Sequence, residues 1–96
     1  MAESSVESNL PRLVELLHDR LKQSELDILH ALAEADGDAL SVDELVEATG
    51  YTERTVKKRT DTLEEQVHGG TLLRRTDEGD PALHPDFARA VREHED

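Results

Sequence analysis

The chain has no cysteine and no tryptophan, and only one phenylalanine, one tyrosine and three prolines among its 96 residues. Without cysteine it can form no disulfide, no thiolate metal site and no thiol nucleophile. Without aromatic bulk, its core has to be assembled from Leu, Val, Ile and Ala. No apolar run approaches the roughly 18 residues that cross a bilayer. The opening Met1-Ala2-Glu3-Ser4-Ser5 is polar and acidic, unlike a secretory leader. The expectation is a soluble, cytoplasmic protein with no membrane partner. A chain of 96 residues holds one domain with one modest core.

Catalytic signatures are missing as well. There is no Gly-x-Ser-x-Gly, no phosphate-binding glycine loop and no His-Glu-x-x-His. The many carboxylates give no sign of a buried pair and read as solvated surface. The histidines (His18, His30, His68, His84, His94) are scattered along the chain. His68 and His84, with acidic neighbours, are the pair that suggests a metal, but cysteine and short His-x-His or His-x₃-His spacings are absent. No enzyme, no metal and no cofactor are expected.

Positive charge is also scarce. Eleven Lys and Arg face 23 Asp and Glu, a net charge of −12. A balance this acidic ordinarily argues against nucleic acid. The sign is not uniform, however. Residues 52–75 hold six basic side chains (Arg54, Lys57, Lys58, Arg59, Arg74, Arg75) and four acidic ones (Glu53, Asp61, Glu64, Glu65), a net of +2 that leaves −14 for the rest. Four of the cations fall between positions 54 and 59. The remaining acidity, with three lysines against eight arginines, suits a halophilic protein, because molar salt shortens the Debye length to about 3 Å and mutes self-repulsion. The competing reading is an acidic surface that binds a basic partner or mimics DNA.

What is present falls into a simple order. Residues 1–9 read as a flexible tail. Leu10, Leu13, Val14, Leu17 and Leu21 recur at helical spacing over 10–21, with Asn9 able to cap and Pro11 suited to a first turn. This stripe either packs on its own core or forms the seam of a homodimer. Ser24, with Asp27 three residues on, begins a second helix bearing Leu26, Ile28, Leu29, Leu32 and Ala33. Gly37 ends it, and 39–41 form a short extended stub. Ser41 and Glu44 make a capping box for a third helix with Val42, Leu45 and Val46 inward. Gly50 suits a positive-φ turn. Thr52 then caps a basic helix to about residue 67, whose inward positions Val56, Leu63 and Val67 are interrupted at Thr60. His68-Gly69-Gly70 breaks that helix. Residues 71–76 and 81–84 read as strands around the turn at 77–80. Pro85-Asp86 starts a last helix with Phe87, Ala90 and Val91 on one side, and 93–96 read as a frayed tail. The result is a single domain over 10–92, mainly α with a small β-hairpin at 71–84. Helix, glycine turn and basic helix over 41–67 read as a helix-turn-helix.

The segment 41–75 resembles small winged helix-turn-helix transcription regulators of the MarR, ArsR and related haloarchaeal types. The residues that carry this are Leu45-Val46-Glu47-Ala48-Thr49-Gly50-Tyr51-Thr52, Thr55-Val56, Leu63-Glu64-Glu65 and Leu72-Leu73-Arg74-Arg75. The resemblance implies that 52–67 is the recognition helix and 77–80 the wing tip. Thr60 in place of an apolar residue, and the glycines at 69 and 70, depart from the pattern.

A helix in the major groove presents its N-terminal, outward positions to base edges. Those positions are Glu53, Arg54, Lys57, Lys58 and Asp61. Arg54, Lys57, Lys58 and Arg59 are the expected base or phosphate readers, with Tyr51, Thr52 and Thr55 as hydroxyl donors to the backbone. Arg74 and Arg75, adjacent on a strand, point to opposite faces, so only one shares the helix's face. The expected function is transcription regulation by double-stranded DNA binding, as a dimer through Leu10, Leu13, Val14, Leu17 and Leu21. The alternative is a protein–protein interaction module, which the acidic turn Asp77-Glu78-Gly79-Asp80 keeps open.

Overall fold

A computed structural model of the chain describes residues 5–35, 37, 39–67 and 72–95. Among these residues the chain is mainly helical with one small antiparallel hairpin. The elements are α1 (Ser5–Arg20), α2 (Gln23–Glu34), α3 (Val42–Thr49), α4 (Glu53–Gln66), β1 (Leu73–Arg75), β2 (Pro81–Leu83) and α5 (Pro85–Glu95).

The expected tail over 1–9 is too long: residues 1–4 lie outside the described residues, and α1 begins at Ser5. Val6 precedes Leu10 by four positions, so the helical spacing starts a turn earlier than the leucines alone suggest. Pro11 therefore sits inside the helix and not in its first turn. There its missing N–H leaves the Glu7 carbonyl without the usual intrahelical donor. α2 begins at Gln23 rather than Ser24, and Glu25 rather than Asp27 closes its first turn, accepting from the Lys22 amide at 2.9 Å. Glutamate has the extra methylene that this backward reach needs. At the other end, α5 runs on to Glu95, so the expected tail at 93–96 is mostly helix. His84 opens α5, its Nδ1 accepting from the Asp86 amide at 3.1 Å.

One core binds all the elements. Leu10, Val14, Leu17 and Leu21 of the first helix and its end join Ile28, Leu29, Leu32, Leu45, Val56, Leu63, Leu73 and Phe87 in a single cluster. The lone phenylalanine is fully buried. α2 is the central helix, packing against α3, α4 and α5, while α1 lies on α5. The stripe expected as a possible dimer seam is part of this packing. Leu10, Val14, Leu17 and Leu21 are buried within one copy and Leu13 is partly buried, because α5 covers the stripe. Leu16, at 52% exposure, is the large apolar side chain left on the outside of α1.

The hairpin is shorter than expected. Leu73 pairs with Leu83, Arg74 with Ala82 and Arg75 with Pro81. His84 extends the ladder by one bond, its N–H donating to the Leu72 carbonyl at 2.8 Å. The extended stub appears at Ala39, bridged antiparallel to Ala82. The expected helix break at His68-Gly69-Gly70 and the first strand residue, Thr71, lie outside the described residues. No helix among the described residues is long and apolar enough to cross a membrane.

Candidate functional site

The geometry of α3, its turn and α4 follows from local chemistry. The Ser41 hydroxyl accepts from the Glu44 amide at 3.2 Å, and Glu44 Oε1 accepts from the Ser41 amide at 2.8 Å. These bonds satisfy two of the amides that a helix start leaves unpaired. At the far end Gly50 takes φ +82°, a left-handed conformation, and its N–H closes on the Val46 carbonyl at 2.8 Å. A side chain there would be strained, so glycine sets the direction in which α4 departs. Thr52 caps α4, its hydroxyl accepting from the Thr55 amide at 3.2 Å.

On α4, Val56, Thr60 and Leu63 face the core, and Glu53, Arg54, Lys57, Lys58 and Asp61 are exposed. Every residue of the expected outward set is thus exposed. Its members are not equivalent. Lys57 pairs with Glu53 at 3.1 Å across one turn, both well exposed, a contact that a phosphate can displace because exposed pairs are weak. Arg54 and Lys58 carry no ion pair among the described residues. Arg59 is half-buried, lying toward the flank of the helix.

Four expected contact residues are committed elsewhere, Thr52 among them through the cap just described. Arg75 donates to Asp61 at 2.8 Å and to Glu64 at 3.2 Å, both on α4, and to the Gly79 carbonyl at 3.1 Å. Strand alternation turns it onto α4, and Arg74, its exposed neighbour, has no ion pair among the described residues. Tyr51 directs its hydroxyl to Asp27 of α2 at 2.5 Å. The Asp27 hydrogen bond, then burial and the carboxylate charge, hold the Tyr51 phenol above its ordinary pKa. Thr55 shares the cap, its hydroxyl 3.0 Å from that of Thr52.

No protein-family model, curated protein or solved structure matches the chain.

Two further arrangements of the fold have no local signature in the sequence. The first is Glu25, a buried carboxylate whose two oxygens are both used: Oε1 takes the Lys22 amide and Oε2 takes the Thr62 hydroxyl of α4. The second is a meeting of histidines that are far apart in the chain. The His18 Nδ1–H donates to the Val14 carbonyl at 2.8 Å, which leaves its Nε2 to accept from His30 Nε2–H at 2.9 Å. The His94 ring lies 4.2 Å from that of His18, centroid to centroid. Among the described residues no group of three or more His, Asp or Glu side chains is arranged to hold a metal ion. His84, half of the pair that the sequence offered as ligands, is the cap of α5, and His68 lies outside the described residues.

Proposed function

We propose that the chain regulates transcription by binding double-stranded DNA through a winged helix-turn-helix, with α3 and α4 as the two helices, α4 in the major groove and the hairpin as the wing. The observation that carries this reading is the state of Arg54 and Lys58. They are exposed in the first two turns of α4 and unpaired among the described residues, on a chain of net charge −12. Two exposed, uncommitted cations on one face of one helix of an acidic protein support an anionic partner for that face. Arg54 can fork onto a guanine edge, and Lys58 suits a phosphate. Lys57 joins once Glu53 releases it, and Arg59 and Arg74 lie at the margins. Tyr51 and Arg75 act as supports, since their polar atoms are occupied.

The test is selection from a random duplex library at molar KCl, where the counterion contribution to affinity is small and base contacts must carry specificity. The wild-type protein is expected to enrich one motif. Arg54→Ala is expected to cost about 1–3 kcal/mol of binding and to relax preference at one position, whereas Lys58→Ala lowers affinity on all sequences. Neither changes the unfolding midpoint. A folded protein that enriches nothing at any salt rules the reading out.

One observation favours the alternative of a protein-binding module. The hairpin tip is acidic and exposed at Asp77 and Glu78, and Arg75 is tied back to α4. A wing that grips phosphate needs cations there. Co-purification of a stoichiometric basic protein, with no retained DNA, identifies that case.

A further inference from the structure

We propose that Glu25 is a positioning residue for DNA reading. Held in the first turn of α2, its carboxylate fixes α4 through Thr62 and so sets the angle at which Arg54 and Lys58 are presented. The proposal rests on the DNA-binding reading given above.

α4 has a weakly specified seat on the core. Its inward face is narrow: Val56 and Leu63 are seven positions apart, and the residue between them on that face is Thr60, whose hydroxyl finds no partner among the described residues. Apolar packing holds such a helix against the core but resists its rotation poorly, because dispersion and hydrophobic burial have little directionality. Directional contacts have to supply what shape does not. Glu25 is the charged side chain among the described residues that is buried, at 4% exposure. A buried carboxylate is stable only when hydrogen-bonded. Both of its oxygens are so occupied, one by its own helix start at Lys22 and one by Thr62 in the third turn of α4. Two positions along α2, Asp27 takes the Tyr51 hydroxyl at 2.5 Å, in the turn that leads into α4. Residues two apart on a helix do not face the same way. The two carboxylates therefore hold the α4 segment at two separate points, one before its start and one beyond its middle. Tyr51 restrains the entry, and Glu25 is the contact that opposes rotation of the helix body.

Base-edge contacts depend on where the side chains enter the groove, while phosphate contacts tolerate displacement and carry no direct sequence information. Releasing α4 should therefore lower affinity for the preferred sequence and leave affinity for arbitrary DNA nearly intact. A residue that only stabilised the fold would lower both together.

The experiment uses Glu25→Met, which keeps the length of the side chain but neither accepts nor donates a strong hydrogen bond, and Thr62→Val, which removes the same contact from the α4 side. Thr62→Ser keeps the hydroxyl and serves as the rescue. Two quantities are measured on folded protein at molar KCl: the orientation of α4 N–H vectors relative to those of α2, by residual dipolar couplings, and the ratio of affinity for the selected duplex to that for a scrambled one. In Glu25→Met and Thr62→Val, α4 is expected to reorient and the ratio to fall about tenfold, with scrambled-DNA affinity within about twofold of wild type. The double variant is expected to be no worse than either single one, because both remove one interaction. Thr62→Ser retains the wild-type ratio. An unchanged α4 orientation, or an equal loss on both duplexes, overturns the proposal. A wild-type protein without sequence preference overturns the DNA reading instead, and the dipolar couplings then still decide whether Glu25 holds α4. If Glu25→Met fails to fold, Thr62→Val and its serine rescue decide the outcome.

Discussion

Thr60 is the residue at which α4 departs most from what a buried helix face requires. It occupies a position flanked by Val56 and Leu63 and is 2% exposed, yet its hydroxyl has no partner among the described residues. An unsatisfied buried hydroxyl carries its full desolvation penalty. Thr60→Val, nearly the same shape without the hydroxyl, is expected to raise stability by roughly 1 kcal/mol, read as a higher midpoint in denaturant at fixed salt. Tyr51 gives a second prediction at this scale. Its phenol, held by Asp27, has a pKa raised above the ordinary value, which is about 10. A raised pKa means that the folded protein favours the neutral phenol. The stability it lends is present in full below about pH 10 and is lost as pH climbs through the folded-state value. Wild-type protein should therefore weaken along this alkaline limb, and Tyr51→Phe should lack that part of the decline. Parallel curves for the two proteins would show that the hydroxyl contributes nothing to folding.

At the scale of elements, the hairpin and α4 are joined by Arg75, which bridges Asp61, Glu64 and the Gly79 carbonyl. The pairs are substantially exposed, and such pairs add little to global stability. Their effect is expected to be local. Arg75→Ala should speed hydrogen exchange of the Thr76 and Gly79 amides, which close the hairpin turn at 2.8 Å each, while shifting the global midpoint only slightly. The difference should shrink at molar salt, where screening weakens the pairs already. Unchanged exchange at low salt would show that the turn holds itself.

The same elements show what a sequence discloses. The caps at Ser41 and Thr52 and the left-handed Gly50 were legible because each depends on residues within one turn of helix. The outward face of α4 was legible for the same reason. Arg75 was placed correctly on the face opposite Arg74, but not as a clamp, because its partners stand 11 and 14 positions away on another element. Glu25 has no local signature, because Thr62 lies 37 positions further on. The leucines of α1 spaced correctly as a helix, yet spacing does not say what covers them, and α5 does. Local rules give elements and their faces. Which faces meet depends on closure of the whole core.

For the whole molecule, the dominant quantity is charge. A net −12 over 96 residues means repulsion that low salt leaves unscreened across a Debye length of about 10 Å at 0.1 M and that molar salt confines to about 3 Å. The unfolding midpoint is therefore expected to rise from dilute to molar KCl. A midpoint independent of salt would mean that the acidic surface does not strain the compact state.

The docking of α1 on α5 has a consequence for how copies of the chain could meet. With the leucine stripe turned inward, the core closes within one copy. An association between copies would have to use another face of the molecule.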